Sequence, residues 1–336
     1  MNNRSLGIYN LIDKTGINRS VNNVLSSGVD FNTYSSPKGL KDLRVTISEF
    51  LSSIWNYKID YNKMLITSGS QQSINLIVHS VLKEGDTVLI EEPTYFGAID
   101  VFKKRKVKLV GFKLQNNECN FHDLENKISK YMPKLIYVVP TFNNPTGNAW
   151  DNVKRKKFLE IVNKYNVLVI EDDPYSLINF CDYNYKSLYQ LNNGTNIFYL
   201  GTFSKYISPA INVGYILCDY KFTSTLYSYK ESFDLATSLF IQYVVLDYLK
   251  NNDLIKVMRK KIVVYKKLLQ KTQHELLIKY GENIESFSNI KGGLFFTVKF
   301  KTKIPSEEFS DMNKFYIDGT CDDEARVNIC SFCDSK

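Results

Sequence analysis

No stretch of this chain approaches the ~18 consecutive apolar residues that a membrane-spanning helix needs. The amino terminus, Met1-Asn2-Asn3-Arg4-Ser5, has no apolar core of the kind a secretory leader carries. Cysteine is sparse and scattered: the six are Cys119, Cys181, Cys218, Cys321, Cys330 and Cys333. Only Cys330 and Cys333 have CxxC spacing, and no second pair or histidine partner follows to complete a zinc site. No metal is therefore expected. Charge is also unremarkable, at +8 overall, with clusters only at 103–106 and 154–157. Each cluster suits the solvated face of a helix or loop better than a nucleic-acid patch. There is no internal repeat and no low-complexity tract. These absences predict a reduced, cytoplasmic protein that binds neither membrane nor nucleic acid.

What is present suits a large globular core. With 336 residues, 44% of them hydrophobic and 23% charged, the chain can form one large domain plus a smaller one. The central stretch is Ile197-Phe198-Tyr199-Leu200, an apolar run that predicts a buried strand. Gly201-Thr202-Phe203-Ser204-Lys205 closes it. Open α/β sheets place ligands beyond the carboxyl ends of their strands. A partly desolvated lysine held there suits an amine that forms a Schiff base, although a solvated lysine after a strand would look the same in sequence.

The rest of the chain repeats that pattern. Ile17 to Leu25 predicts a short helix. Beyond the turn-rich Tyr34-Ser35-Ser36-Pro37-Lys38-Gly39, Leu40, Leu43, Ile47, Phe50 and Leu51 share one helical face. Met64 to Thr67 predicts a strand ending in Ser68-Gly69-Ser70, with a helix from Gln71 to Leu82. A small-residue loop feeding a helix start offers free N–H groups and a positive dipole end, which makes it either a phosphate site or a plain N-cap. Further strands are predicted at 87–90, 134–139, 167–170 and 214–217, with a helix at 154–165. Successive strand ends carry Ser68 and Ser70, Asn144, Asp172 with Tyr175, and Lys205, which look placed for one site. Alternating strands and helices predict an α/β domain with a mostly parallel sheet flanked by helices. From about residue 220 helical patterns fill 240–250 and 254–280, followed by strands at 292–298 and 325–329. The predicted division is a large domain over residues 31–250 and a smaller α+β domain from residues 1–30 and 251–336.

These strand ends, in this order and spacing over roughly residues 31 to 300, resemble the fold-type I pyridoxal phosphate enzymes of aminotransferase class I/II. The aminoadipate aminotransferase group and the aminotransferase-like domain of MocR regulators are the most similar branches. The resemblance implies that Lys205 binds the cofactor and moves the proton, and that Asp172 pairs with the pyridine nitrogen so that the ring can act as an electron sink. It implies hydrogen bonds from Tyr175 and Asn144 to the cofactor's phenolic oxygen, and stacking of Tyr95 on the ring. Gly69, Ser70, Gln71 and Thr202 would form the phosphate cup, and Tyr34 would reach the phosphate of a neighbouring subunit, which implies a homodimer. Arg326, with Asn144 beside it, would clamp the substrate α-carboxylate, since a bidentate guanidinium suits that planar anion.

Three departures stand out. Seven residues after Lys205, where the relatives carry an arginine on the cofactor phosphate, this chain has Asn212. Losing one charge-assisted partner weakens the cup by roughly 1.5–3 kcal/mol. The amino terminus lacks the family's glycine-containing substrate strand, and the segment between Phe300 and Arg326 is short. The resemblance implies an aminotransferase converting an amino acid to its 2-oxo acid. Elimination, decarboxylation or cyclisation on the same fold remain alternatives, as do a MocR-like ligand-binding domain and a degenerate subunit. No winged-helix module is expected ahead of residue 1, and Lys205 and Asp172 are both in place.

Overall fold

The computed structural model describes residues 11–115, 118–181, 183–302, 309, 312–319, 321 and 323–331. The first ten residues, parts of the segment between Phe300 and Arg326, and Cys333 lie outside them. In chain order the elements begin with helices α1 (Lys14–Ser26) and α2 (Lys41–Trp55), then β1 (Met64–Thr67), α3 (Ser70–Val81), β2 (Thr87–Glu92) and α4 (Phe96–Lys104). They continue with β3 (Lys108–Gln115), β4 (Glu118–Cys119), α5 (Phe121–Tyr131), β5 (Leu135–Val138), α6 (Asn152–Lys164), β6 (Leu168–Asp172) and α7 (Leu188–Leu191). Last come β7 (Ile197–Thr202), β8 (Gly214–Leu217), α8 (Tyr220–Asp234), α9 (Leu239–Asn251), α10 (Leu254–Tyr280), β9 (Ile284–Phe287), β10 (Phe295–Phe300) and β11 (Glu324–Asn328).

Eight strands form one sheet in the order β1-β8-β7-β6-β5-β2-β3-β4. From β7 through β3 every neighbouring pair is parallel, while β8 runs antiparallel to both β1 and β7. The expected mostly parallel α/β sheet is what forms. Its inner strands are buried on both sides because their residues alternate between two apolar layers. Leu89, Ile136, Val169 and Tyr199 pack into one core, and Val88, Ile90, Leu135, Ile170 and Phe198 into the other. Full burial of a side chain such as Phe198 contributes about 1.5–3 kcal/mol.

The predicted helices form with slightly different ends. Asp151 caps α6 by accepting from the Lys154 N–H at 2.8 Å, and Asp253 caps α10 through Lys256 at 2.9 Å. Sequence periodicity did not reveal α5 or α8, for a physical reason. Only Leu124 and Ile128 of α5, and Leu226 and Lys230 of α8, are buried, too few to mark a face.

After α10 a second sheet forms in the order β11-β10-β9, antiparallel throughout. Two predicted strands shift by one to three residues, to Phe295–Phe300 and Glu324–Asn328, and β9 is an unanticipated third. A seam joins this sheet to the large one: Phe180 N–H donates to the Lys291 carbonyl at 2.9 Å, and Gly293 N–H to Ile178 at 2.9 Å. Ser288 Oγ donates to the Thr146 carbonyl at 2.6 Å. The small sheet is thereby held against the loops that follow β5 and β6. Among the described residues no helix is long and apolar enough to cross a membrane.

Candidate active site

The carboxyl ends of β6 and β7 sit side by side, Asp172 pairing with Leu200 in register. Asp172 closes its strand facing a buried space. Its Oδ2 accepts a 2.6 Å hydrogen bond from the Tyr137 hydroxyl, while Oδ1 is buried with no partner. Burial pushes its pKa up to about 6, against the Tyr137 hydrogen bond, with Asp173 adding to the rise and Lys205 opposing it. Lys205 responds in the opposite direction: burial pushes its amine down to about 8, Asp172 opposing and the Arg326 guanidinium assisting. Lys205 therefore feels both Asp172 and Arg326 electrostatically, although the three come from β6, the loop after β7, and β11.

Arg326 emerges from the small sheet, paired with Thr297 of β10. Its guanidinium lies 4.4 Å from the Phe295 ring centre and 5.1 Å from that of Phe315, and its Nη1 is 3.4 Å from Asn144 Oδ1. Asn144 also hydrogen-bonds Tyr175, whose hydroxyl is pushed above its ordinary pKa, mainly by burial. Tyr95 stands at the start of α4, its phenol raised to about 12 by burial and Asp172, with Arg326 pulling the other way. Its hydroxyl reaches Gln71 Oε1 at 3.3 Å, which ties it to the start of α3.

That helix start is not a serine cap. Gly69 occupies the cap position at φ +83° with no side-chain cap hydrogen bond, and Ser70 is the first helical residue. Ser70 Oγ is buried without a partner. A Cβ on Gly69 would stand 2.3 Å from Asn212 Oδ1, so only glycine permits this approach. Asn212 adopts the left-handed conformation, φ 46° and ψ 40°, which asparagine tolerates better than most residues. Thr202 Oγ1 lies 3.2 Å from both the Val213 carbonyl and Ser204 Oγ. Ser68 departs from the expected grouping: its hydroxyl turns to Thr237 at 3.2 Å and Asp234 at 3.5 Å. Tyr34 is 81% exposed, and no described hydrogen bond or ring contact within the chain joins it to the cluster.

Sequence reasoning did not identify Tyr137, Phe295 or Phe315. Tyr137 pairs with Ile170, so it shares a face with Asp172 two residues on, but that depends on strand register, which the sequence does not display. Phe295 and Phe315 look like ordinary core aromatics until the sheet of Arg326 is in place.

The residues present fit pyridoxal phosphate. The unpartnered Asp172 Oδ1 can accept from a protonated ring nitrogen, and the first-turn N–H groups at Gly69 to Gln71, which have no intrahelical acceptor, can take a phosphate with the Ser70 hydroxyl. Lys205 is close enough to Asp172 to be perturbed by it, as a shared ligand requires.

Comparison with known proteins gives the same picture. Residues 11–311 match the family model described as "Aminotransferase class I and II". An aromatic-amino-acid aminotransferase of Thermococcus litoralis is 31% identical over 69% of this chain, and the chain spans 57% of that relative's length. YisV of Bacillus subtilis, described as an uncharacterised HTH-type transcriptional regulator, is 26% identical over 82% of this chain and 57% of its own. Among solved structures, the α-aminoadipate aminotransferase LysN of Thermus thermophilus, complexed with N-(5'-phosphopyridoxyl)-L-leucine, superposes with a TM-score of 0.87. That match has 26% identity and covers 95% of this chain and 83% of LysN. The chain thus belongs to the class I and II aminotransferase family, and it has the fold-type I architecture of that family, whose cofactor is pyridoxal phosphate.

Proposed function

We propose that this protein is an aminotransferase that moves the amino group of an α-amino acid to a 2-oxo acid. The observation that carries this reading is the pairing of a buried carboxylate with one open oxygen, Asp172, and a desolvated amine, Lys205, opposite a recessed arginine. Bound pyridoxal phosphate supplies the electron sink and the carbon that accepts the amino group.

The chain's own residues divide the remaining work. Asp172 holds a proton on the ring nitrogen, with Tyr137 fixing the carboxylate's orientation. The lowered pKa of Lys205 would let its Nζ act as a base near neutral pH, taking the substrate α-proton and delivering it to the carbon on the other side of the amino nitrogen. Tyr175 and Asn144 donate to the phenolic oxygen, and Tyr95 covers the ring. Gly69, Ser70, Gln71 and Thr202 hold the phosphate, with Asn212 beside them in place of a cation. Arg326 and Asn144 orient the substrate carboxylate, and the aromatic surround of Arg326 excludes water from that contact. The large body over 31–250 thus binds cofactor, while residues 1–30 and 251–336 present the clamp. In a homodimer the exposed Tyr34 would serve the neighbouring site.

The test is a panel of aromatic and dicarboxylic amino acids supplied with a 2-oxo acid acceptor. Formation of the donor's own 2-oxo acid is expected. Release of ammonia or carbon dioxide in its place would assign an elimination or decarboxylation. The match to YisV favours one other reading, a ligand-sensing domain. That reading requires cofactor and amino-acid binding with no turnover of any donor in the panel.

A further inference from the structure

We propose that Lys261 is a positioning residue for Lys205, fixing from α10 the turn that carries the reactive amine and linking it to the strand of Arg326. The inference rests on the aminotransferase reading for what Lys205 does, but its geometry stands independently. Lys261 is only 6% exposed, and its Nζ donates a 2.7 Å hydrogen bond to the Tyr206 carbonyl, one residue after Lys205. Among the described residues no carboxylate lies within ion-pair distance of it. The charged group it feels is Asp13 at the start of α1, which caps that helix and accepts from Tyr248 of α9 at 3.0 Å. A buried ammonium without an ion-pair partner is unfavourable, and an apolar side chain would fill the same volume more stably. Its one hydrogen bond therefore points to a use beyond packing.

That use follows from what the bond restrains. Tyr206 and Ile207 N–H groups both donate to the Phe203 carbonyl, so Lys205 rides on a tight turn. The Tyr206 hydroxyl lies 3.4 Å from Ser176 Oγ and accepts from the Leu177 N–H at 3.5 Å, on the loop that carries Tyr175. Lys261 holds the opposite end of the same residue. Without it, the peptide between Tyr206 and Ile207 is held only through the Ile207 N–H bond to Phe203, so it can tilt and shift the base of the Lys205 side chain. The same helix reaches the clamp: Thr272 Oγ1 donates 2.7 Å to the Ile329 carbonyl, three residues beyond Arg326. Eleven residues separate Lys261 from Thr272, about 16 Å of rigid rod. The spacing between proton carrier and carboxylate clamp is thus set by two buried side chains on one helix.

The experiment compares Lys261→Met, which keeps the stem and removes the donor, with Lys261→Arg, which keeps charge and donor. Lys261→Met is expected to lower kcat about ten- to a hundredfold, as a small misplacement of a reacting group does, with KM little changed. In the cofactor-bound protein, the pH midpoint of the visible absorbance band is expected to move upward. The loosened turn admits solvent to the amine and relieves the burial that disfavours its protonated form. Lys261→Arg is expected to restore both quantities. If Lys261→Met does not fold, Lys261→Gln, a neutral donor of similar reach, takes its place in the same comparison. A fall in thermal midpoint alone, with band midpoint and kcat unchanged, would overturn the proposal and leave Lys261 a packing residue. If the wild-type protein binds cofactor but transaminates no donor, the aminotransferase reading fails, and the band midpoint alone decides the role of Lys261.

Discussion

The side chains of the site are tuned mainly by burial, and substitutions there have consequences with a definite sign. Removing the Tyr137 hydroxyl takes away the one hydrogen bond that the Asp172 carboxylate accepts among the described residues. Tyr137→Phe removes a bond that lowers the Asp172 pKa, so the carboxyl should titrate above about 6 and cofactor binding at neutral pH should weaken, read as a dissociation constant by titration. Position 212 combines two opposing effects. An arginine there would add a charge-assisted bond to the phosphate of roughly 1.5–3 kcal/mol, but must adopt the left-handed backbone at about 1–2 kcal/mol. That backbone cost falls on fold stability with or without cofactor, so Asn212→Arg should tighten cofactor binding by the full bond, roughly ten- to a hundredfold, while lowering the thermal midpoint. Unchanged affinity would show that another cation already serves the phosphate.

At the scale of elements, the loops rather than the strands need explaining, because polar loops beside a site must be held by something. Arg155 on α6 does this for the loop bearing Asn144. Its Nη2 donates to the Pro140 carbonyl and Thr141 Oγ1, each at 2.8 Å, and its Nε to the Trp150 carbonyl at 2.9 Å. Its side chain is fully buried and 3.6 Å from Glu171, whose carboxylate accepts from the Leu188 and Tyr189 N–H groups at the start of α7. Arg155→Met leaves that acid uncompensated and should destabilise the fold by about 3–5 kcal/mol, measured by urea denaturation. The sequence singled out the strand ends that carry Asp172, Asn144 and Lys205, because each follows an apolar run. It did not show Arg155, one of many basic residues on a helix pattern. What separates it from Lys154 or Lys156 is that its face is turned to the sheet, which depends on packing.

For the whole molecule, the buried acids Glu91, Glu171, Asp172 and Asp173, all raised by burial, predict how stability follows pH. Asp172 is raised by burial from 3.8 to about 6, and Glu91 from 4.5 to about 8. Both folded-state values lie above the unfolded ones, so the folded chain binds these protons more tightly. That advantage is present at low pH and lost as pH rises through about 6 and then about 8. The cofactor-free chain should thus have a lower urea midpoint at about pH 8 than at about pH 5, with Asp172 contributing about 1.4 kcal/mol of the change. Asp172→Asn should remove that share, and an equal midpoint at both pH values would contradict the burial described. The parallel order of the large sheet was legible because strands rich in valine, isoleucine and leucine alternate with helix patterns. How the small sheet meets it was not, since the seam at Ile178, Phe180 and Gly293 consists of backbone hydrogen bonds that no side-chain pattern announces. That seam brings Arg326 to Asn144.

The central claim is that Lys205 and Asp172, on adjacent strand ends, convert a bound amino acid to its 2-oxo acid while the amino group stays on the cofactor. A single turnover without acceptor tests it most directly: cofactor-loaded protein is mixed with one amino acid, and the visible absorbance band and the 2-oxo acid are followed together. Loss of the band with one equivalent of 2-oxo acid per site, and neither change in Lys205→Ala, is the expected result. Product accumulating beyond one equivalent with free ammonia, or full conversion in Lys205→Ala, would contradict it.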